Sequence, residues 1–110
     1  MLGLPTADKP PASCLASRFP YGVRITLDAI KRVSMAELIV KQVAGVRLVR
    51  VRVHGVIARI EVGRSERRKF FNEVVLDEIS RRLKNLGYLY VAMELEGYKP
   101  GSLDEMLHSL

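Results

Sequence analysis

The residue of this sequence with the most reactive side chain is its one cysteine, Cys14. It lies in a run of small residues and prolines, and Arg18 follows four residues later. We expect a thiol in such a run to be accessible to solvent, and a nearby guanidinium favours the nucleophilic thiolate. Cys14 is therefore the candidate catalytic residue, and the alternative is an incidental, half-exposed cysteine without a chemical role.

A second candidate site comes from arginines that alternate with apolar residues. Residues 47–53 and 56–62 each alternate in character, and His54-Gly55 between them can make a tight turn, which predicts a β-hairpin. In that register Val53 pairs with Val56, and the valines share one face of the hairpin. The pattern predicts a core face of valines and a basic outer face.

The basic outer face is expected to hold Arg50, Arg52 and Arg59, with Arg50 opposite Arg59. Like charges that face each other across strands cost stability, so an anion or acidic side chains over this face would explain the cluster. The guanidinium fork suits bidentate binding of phosphate. These three arginines are the candidate substrate-binding residues, and the alternative is a solvated face on which they spread apart.

Another basic cluster lies near the start of a helix predicted over residues 66–86. Its members are Arg64, Arg67, Arg68 and Lys69. Cations are disfavoured at the positive end of the helix dipole, so a phosphate or acidic partner would relieve the conflict. A basic surface without a ligand is the alternative.

The elements that must position these residues follow from capping and periodicity. Thr26 is a good N-cap for a helix over residues 27–43, and Gly45 ends it. Ser65 is expected to cap the helix over 66–86, whose apolar stripe has i, i+4 spacing and whose end is Gly87. That stripe comprises Phe71, Val75, Ile79, Leu83 and Leu86.

The rest of the chain completes an α+β fold. Residues 88–95 are predicted to form a third strand, and Ser102 is expected to cap a short final helix. The order α-β-β-α-β-α places helices on one face of a small sheet, as in a complete or incomplete ferredoxin-like fold. Residues 1–22 hold four of the five prolines and are predicted to be an extended linker and active-site loop before an α+β domain over 23–110.

Composition narrows the function classes. The chain has 110 residues, 48% of them hydrophobic, which is typical of one globular domain, and a single cysteine favours a reducing, cytoplasmic location. We expect no signal peptide and no membrane span. The net charge of +6, with twelve arginines and six lysines, favours an anionic ligand, although a thermophilic source or genomic base composition would give the same excess. Only seven residues are aromatic, so nucleic-acid binding is not favoured.

Metal and nucleotide motifs are not apparent in the sequence. His54 and His108 have no further ligands near them in sequence, so no metal site is predicted. The chain has neither a Walker-type P-loop nor the Ser-Gly-Gly-x-Asp-Ser run of ATP pyrophosphatases. We therefore expect the chain by itself to bind no cofactor and to hydrolyse no ATP.

Four stretches carry a resemblance to a known family. They are residues 9–26, with the run Cys14-Leu15-Ala16-Ser17-Arg18, residues 49–55, residues 58–62 and residues 95–103. In order and over nearly the whole chain, they resemble the C-terminal domain of the LarE family. Members of this family are ATP-dependent sacrificial sulfur transferases of the PP-loop superfamily, and they act in making the nickel-pincer nucleotide cofactor of lactate racemase.

The resemblance implies roles for individual residues. Cys14 matches the sacrificial cysteine, Ser17 and Arg18 would line its site, and Arg50 and Arg52 match a pair that would bind the phosphate of a nucleotide substrate. A PP-loop domain, in the same or a separate chain, would bind ATP and Mg²⁺ and activate the substrate carboxylate, so the isolated chain is not expected to be active. The family also implies a homo-oligomer.

Two departures and two alternatives accompany the resemblance. Ser13 stands where the family has proline, and Val56 stands where it has an aspartate, which leaves the register of the cysteine motif and the role of the hairpin tip open. One alternative is a non-catalytic module that binds an anion or a nucleotide through the arginine face. The other is an oligomerisation module that uses the apolar surface of the C-terminal helix.

Overall fold

The computed structural model describes residues 15–98 and consists of two helices on one face of a three-stranded sheet. Strands β1 and β2 are antiparallel, β2 and β3 are parallel, and β2 lies between the other two. This arrangement confirms the predicted α+β class. The elements are α1 (Leu27–Ala44), β1 (Val49–His54), β2 (Ile57–Val62), α2 (Glu73–Asn85) and β3 (Tyr90–Met93), with 3-10 helices at Ala16–Arg18 and Arg64–Phe70.

Helix α1 begins and ends as its sequence predicts. The side chain of Thr26 accepts a hydrogen bond from the backbone N–H of Ala29, which satisfies one of the free donors of the first turn. Gly45 ends the helix in the left-handed conformation, at φ +70°, and donates to the carbonyl of Lys41. Both residues that we selected as caps therefore act as caps.

The core lies between helices α1 and α2 on one side and the sheet on the other. Strands β1 and β2 direct alternate residues toward the helices, and all six are buried: Val49, Val51, Val53, Ala58, Ile60 and Val62. They pack with Val33 and Val40 of α1 and with Ile79 and Leu83 of α2. The valine core face is confirmed, and the opposite face of the hairpin carries the arginines.

The hairpin has a different register from the predicted one. The loop residues are Gly55 and Val56, so Val53 pairs with Ala58 rather than with Val56. Gly55 adopts φ +61°, which a glycine tolerates and His54 would not, so the loop starts one residue later than we expected. The pairing changes by an even step, so the other residues keep their faces, but Val56, which we placed on the core face, lies in the loop and is exposed.

The helix predicted over 66–86 is wrong in its first part. Residues 64–70 form a 3-10 helix, and α2 begins only at Glu73, because the side chain of Asn72 caps it by accepting from the N–H of Val74 at 2.8 Å. Phe70 is buried, whereas Phe71, which we placed in the apolar stripe, is 77% exposed. The basic cluster therefore lies in the 3-10 helix before α2 and not at the N-terminus of α2, so the predicted conflict with the dipole of the longer helix is absent.

Strand β3 is shorter than the predicted strand over 88–95. Tyr88 is buried before the strand, and Glu94, just after it, donates its N–H to the carbonyl of Ile60. Residues 94–97 then form a turn closed by the N–H of Gly97, which adopts φ +84°, and the N–H of Tyr98 donates to the carbonyl of Val62 at 2.7 Å. The predicted final helix lies outside the described residues.

Part of the predicted linker packs against the domain. Leu15 and Phe19 are buried in the core, and the 3-10 helix between them contacts β1. These two apolar side chains hold the segment against the core. Residues 1–22 show no helical or strand periodicity, so the sequence did not predict this packing. The division of the chain at residue 22 stays a prediction. Within residues 15–98, neither helix has the length and apolar character needed to cross a bilayer.

Candidate functional site

The arginine face of the hairpin is organised around one buried carboxylate, that of Glu61. Arg52 and Arg59 are direct partners across β1 and β2, and Glu61 accepts from Arg52 Nε at 3.1 Å and from Arg59 Nη1 at 2.9 Å. Arg59 Nη1 also donates to Glu94 of the turn after β3, at 3.0 Å. Of the two explanations that we considered for these like charges, an anion or acidic side chains, the structure shows the second for Arg52 and Arg59: two carboxylates of the chain itself balance them.

Arg50 differs from its two neighbours. It was predicted opposite Arg59, but its strand partner is Glu61, and its own guanidinium donates instead to the carbonyl of Val49 at 2.9 Å. None of its recorded contacts within residues 15–98 is to a carboxylate. Arg50 is therefore the arginine of this face with an unbalanced charge, and the one best suited to bind a phosphate.

Tyr98 completes the arginine face, and we did not predict it. Its ring centroid lies 5.4 Å from the guanidinium carbon of Arg50 and 5.9 Å from that of Arg52, so both cations lie within reach of one aromatic ring. Tyr98 follows β3 in sequence, its backbone N–H is bonded to the carbonyl of Val62 at the end of β2, and its side chain reaches the arginines of β1. In the sequence, Tyr98 was distinguished by its position in residues 95–103, the last of the four stretches that carry the family resemblance.

The segment that follows Cys14 lies beside this face. Arg52 Nη1 donates to the backbone carbonyl of Ser17 at 3.2 Å, so the hairpin and the cysteine motif are in direct contact. The hydroxyl of Ser17 accepts from Arg18 Nη1 at 3.0 Å. Cys14 itself lies outside the described residues, one position before the buried Leu15.

Arg18 is buried and paired with a carboxylate of α1. Its Nε and Nη2 donate to Glu37 at 2.5 and 3.3 Å. Glu37, also buried, accepts a further bond from the backbone N–H of Val51 at 2.9 Å. Arg18 is therefore directed to a structural partner, and its charge is balanced, which weakens its effect on a neighbouring thiol. Glu37 was not among the predicted site residues, because nothing local in the sequence distinguishes it from an exposed helical glutamate.

His54 ends β1 at the rim of the arginine face. Its Nε2 lies 3.3 Å from Arg59 Nη2. Burial, followed by the charges of Arg59 and Arg52, lowers the pKa of His54, while Glu61 raises it. These effects favour the neutral form of the imidazole. Within residues 15–98 no three His, Cys, Asp or Glu side chains converge on a metal-binding position.

Three residues of the second basic cluster donate side-chain hydrogen bonds to backbone carbonyls of neighbouring segments. Arg64 donates to the carbonyl of Glu96 at 3.2 Å, and Arg67 donates to the carbonyl of Leu95 at 2.7 Å. Lys69 bonds the carbonyl of Gly45 at 2.9 Å. Arg64 and Arg67 thus hold the turn that leads to Tyr98, and Lys69 is bonded to the C-cap of α1, whereas a phosphate site at this cluster stays a prediction.

Comparison with known proteins places these features in context. No protein-family model matches the chain. The chain is 43% identical to an uncharacterized protein of Synechocystis sp. over 107 residues. These aligned residues make up 97% of this chain and 40% of that protein. The chain is 38% identical over 106 residues to the pyridinium-3,5-bisthiocarboxylic acid mononucleotide synthase of Lactiplantibacillus plantarum, which is 96% of this chain and 37% of the synthase. The chain thus spans about two fifths of the length of the curated relatives that it matches.

Proposed function

We propose that this chain, which belongs to the LarE family, supplies the sacrificial cysteine and part of the substrate-phosphate site of an ATP-dependent sulfur transferase. The synthase of L. plantarum is a LarE protein, and its similarity covers nearly the whole of this chain. Because the chain spans about two fifths of that relative, activation of the substrate by ATP is assigned to the remaining part, a PP-loop domain in the same or a separate polypeptide.

One contact carries the proposal, the hydrogen bond of 3.2 Å from Arg52 Nη1 to the carbonyl of Ser17. Ser17 is three residues beyond Cys14, whereas Arg52 lies on β1, so the fold brings the cysteine motif to the arginine face. An anionic substrate held by these arginines would lie beside the segment that carries the thiol. This proximity is what a nucleophilic attack on a bound phosphate-bearing substrate requires.

The three arginines of the arginine face have different roles in binding the substrate phosphate. Arg50 has no carboxylate partner within residues 15–98 and presents its guanidinium beneath the ring of Tyr98, so it is the principal phosphate ligand. Arg52 lies next to it but shares its charge with Glu61, so it contributes less to binding and more to the contact with Ser17. Arg59 is bonded to two carboxylates and holds Glu61 in place.

The proposed reaction consumes the cysteine. The Cys14 thiolate attacks a substrate carboxylate that ATP has converted to an acyl adenylate, forms a thioester and displaces AMP. A base then removes the α-proton of Cys14, and its Cβ–S bond breaks with the electron pair going to sulfur. The product is a thiocarboxylate, and the residue left in the chain is dehydroalanine. No electrons are gained or lost from outside, because the cysteine supplies the sulfur at its own expense.

Mass spectrometry of the chain tests this proposal directly. The chain is incubated with the PP-loop part of the L. plantarum synthase, ATP, Mg²⁺ and a pyridinium dicarboxylate mononucleotide. We expect the chain to lose one equivalent of H₂S and the loss to map to position 14. The Cys14→Ser variant is the control. An unchanged mass, with the substrate adenylylated, would contradict the proposal.

A second arm tests the phosphate site with the chain alone. Inorganic phosphate should raise the melting temperature more than chloride does at equal ionic strength, because a ligand that binds only the folded state stabilises it. Arg50→Gln should remove most of that difference. The matched control is Arg68→Gln, since Arg68 is exposed and, within residues 15–98, forms hydrogen bonds through its backbone and not through its side chain. Equal loss in both variants would show general screening by salt and no site.

A further inference from the structure

We propose that Glu37 is a positioning residue, which holds the segment after the sacrificial cysteine against the arginine face. The inference rests on the proposed function. Glu37 lies on α1, and the hydrogen bonds of its carboxylate go neither to Tyr98 nor to Arg50. It acts through other groups, and its carboxylate accepts three hydrogen bonds from two separate elements.

The two elements are the ones that the reaction must hold together. Two of the bonds come from Arg18, the last residue of the first 3-10 helix. The third comes from the backbone N–H of Val51, the residue between Arg50 and Arg52 on β1. One carboxylate therefore sets the distance between the cysteine motif and the phosphate-binding strand.

The position of Val51 explains why an acceptor is needed there. Among residues 15–98, strand β1 lies at one edge of the three-stranded sheet, with β2 on one side and no described strand on the other. A buried N–H at such an edge costs stability unless a side chain accepts its bond. Glu37 accepts it and leaves oxygen capacity for Arg18, so the 3-10 helix is attached to the edge of β1.

Stability alone does not account for this pair. Arg18 and Glu37 have side chains that are only 4% and 7% exposed. Desolvation of such a pair offsets much of its Coulomb attraction, and an apolar pair of similar volume is often equally stable. What the ion pair adds is one defined geometry. The bond from Arg52 to the carbonyl of Ser17 depends on that geometry, since it joins the same two elements from the outer face.

Glu37→Gln is the first test, because it keeps an acceptor for Val51 and removes the counter-charge of Arg18. Two readouts are followed below the melting temperature, amide hydrogen exchange over residues 16–19 and the rate of H₂S loss from position 14 in the mixture described above. We expect exchange over 16–19 to accelerate at least tenfold and the rate of sulfur loss to fall at least tenfold. Stabilisation by inorganic phosphate should remain, since Arg50 does not contact Glu37.

The control is Leu83→Ala. Leu83 is fully buried on α2, so this variant also loses stability, but it does not contact the 3-10 helix through any recorded hydrogen bond. It should leave exchange over 16–19 and sulfur loss near the wild-type values. If Glu37→Gln behaves like Leu83→Ala in both readouts, Glu37 is a structural residue and the proposal is overturned.

Failure of the proposed function gives a different result. In that case the wild-type chain loses no H₂S, whereas the exchange readout still reports whether Glu37 holds the segment. Should Glu37→Gln not fold, Arg18→Gln is used, because it leaves the bond from Val51 to Glu37 in place. That variant should also accelerate exchange over 16–19 and slow sulfur loss, and wild-type behaviour of both would overturn the proposal.

Discussion

Arg52 and Arg59 lie directly opposite each other across β1 and β2, and both donate to the carboxylate of Glu61, which is buried between them. Two opposed cations on neighbouring strands would repel each other without it. Glu61 thus turns a repulsive pair into a bridge, and it leaves Arg50 as the arginine of this face whose charge is available to an anion.

Replacing Glu61 tests this balance. Glu61→Gln should lower the free energy of unfolding by about 2–3 kcal/mol, near the low end for a broken buried pair because Arg59 is one-third exposed. The same variant should gain more stability from inorganic phosphate than the wild type does, since Arg52 loses its carboxylate partner and Arg59 keeps only Glu94. Urea unfolding with and without phosphate measures both effects. Glu78→Gln, which breaks an exposed bridge to Arg81, should change stability by less than about 0.5 kcal/mol.

The reactivity of Cys14 is a separate prediction. We expect iodoacetamide to alkylate it without denaturant, because it lies in a run of small residues and prolines, where a thiol is accessible to solvent. Since Cys14 is the one cysteine of the chain, mass spectrometry reports its modification without ambiguity. Alkylation that requires denaturant would show that the thiol is buried and would contradict its assignment as a nucleophile.

Phe70 and Phe71 provide a matched pair for the boundary between the second 3-10 helix and α2. Phe70 is 1% exposed and lines the core, whereas Phe71 is 77% exposed. Phe70→Ala should cost roughly 3–5 kcal/mol of stability. Phe71→Ala should stay within about 0.5 kcal/mol of the wild type. Denaturant titration of the two variants decides between this boundary and a continuous helix over 66–86, in which Phe71 would carry the larger cost.

Gly97 determines whether Tyr98 reaches the arginine face. A Cβ at this position would lie 2.8 Å from the carbonyl oxygen of Val62 and 3.2 Å from the Cα of Arg64, and φ is +84°. Gly97→Ala should cost roughly 1–3 kcal/mol beyond the left-handed penalty, because backbone atoms cannot yield as a side chain can. It should also weaken stabilisation by phosphate. Gly45→Ala is the control, since φ is +70° there but no atom lies within 4 Å; it should cost about 1–2 kcal/mol and leave the phosphate effect intact.

Glu66 is expected to account for part of the stability that the fold loses at acidic pH. The backbone N–H of Arg47, and to a lesser degree that of Leu48 and the side chain of Lys69, hold the pKa of Glu66 below its ordinary value of 4.5. A carboxyl group with a lowered pKa stabilises the fold above its unfolded value, and this contribution is lost as the pH falls through the folded pKa. The melting temperature of Glu66→Gln should therefore fall less than that of the wild type between neutral pH and a pH well below 4.5. Asp77→Asn, on the exposed side of α2, should follow the wild type.

Local features of the sequence were sufficient for most of the secondary structure. Thr26 and Gly45 delimit α1 because a hydroxyl cap and a left-handed glycine act within one turn of the chain. Alternation placed the valines in the core and the arginines on the outer face, and this assignment survived the slip at Gly55 because the pairing changed by an even step. The four matching stretches identified the family, which the similarity to the synthase confirms.

Only the tertiary structure decided how the arginine face is balanced and what lies beside it. Glu61 and Glu37 look like ordinary glutamates in the sequence, yet both are buried and paired with arginines: Glu37 with Arg18 of the first 3-10 helix, and Glu61 with Arg52 of the neighbouring strand and Arg59 of its own. Tyr98 reaches Arg50 from 48 positions away only through the turn after β3. Capping and alternation act between neighbours in the chain, whereas burial of a charge and the meeting of remote side chains depend on the packing of all the elements at once.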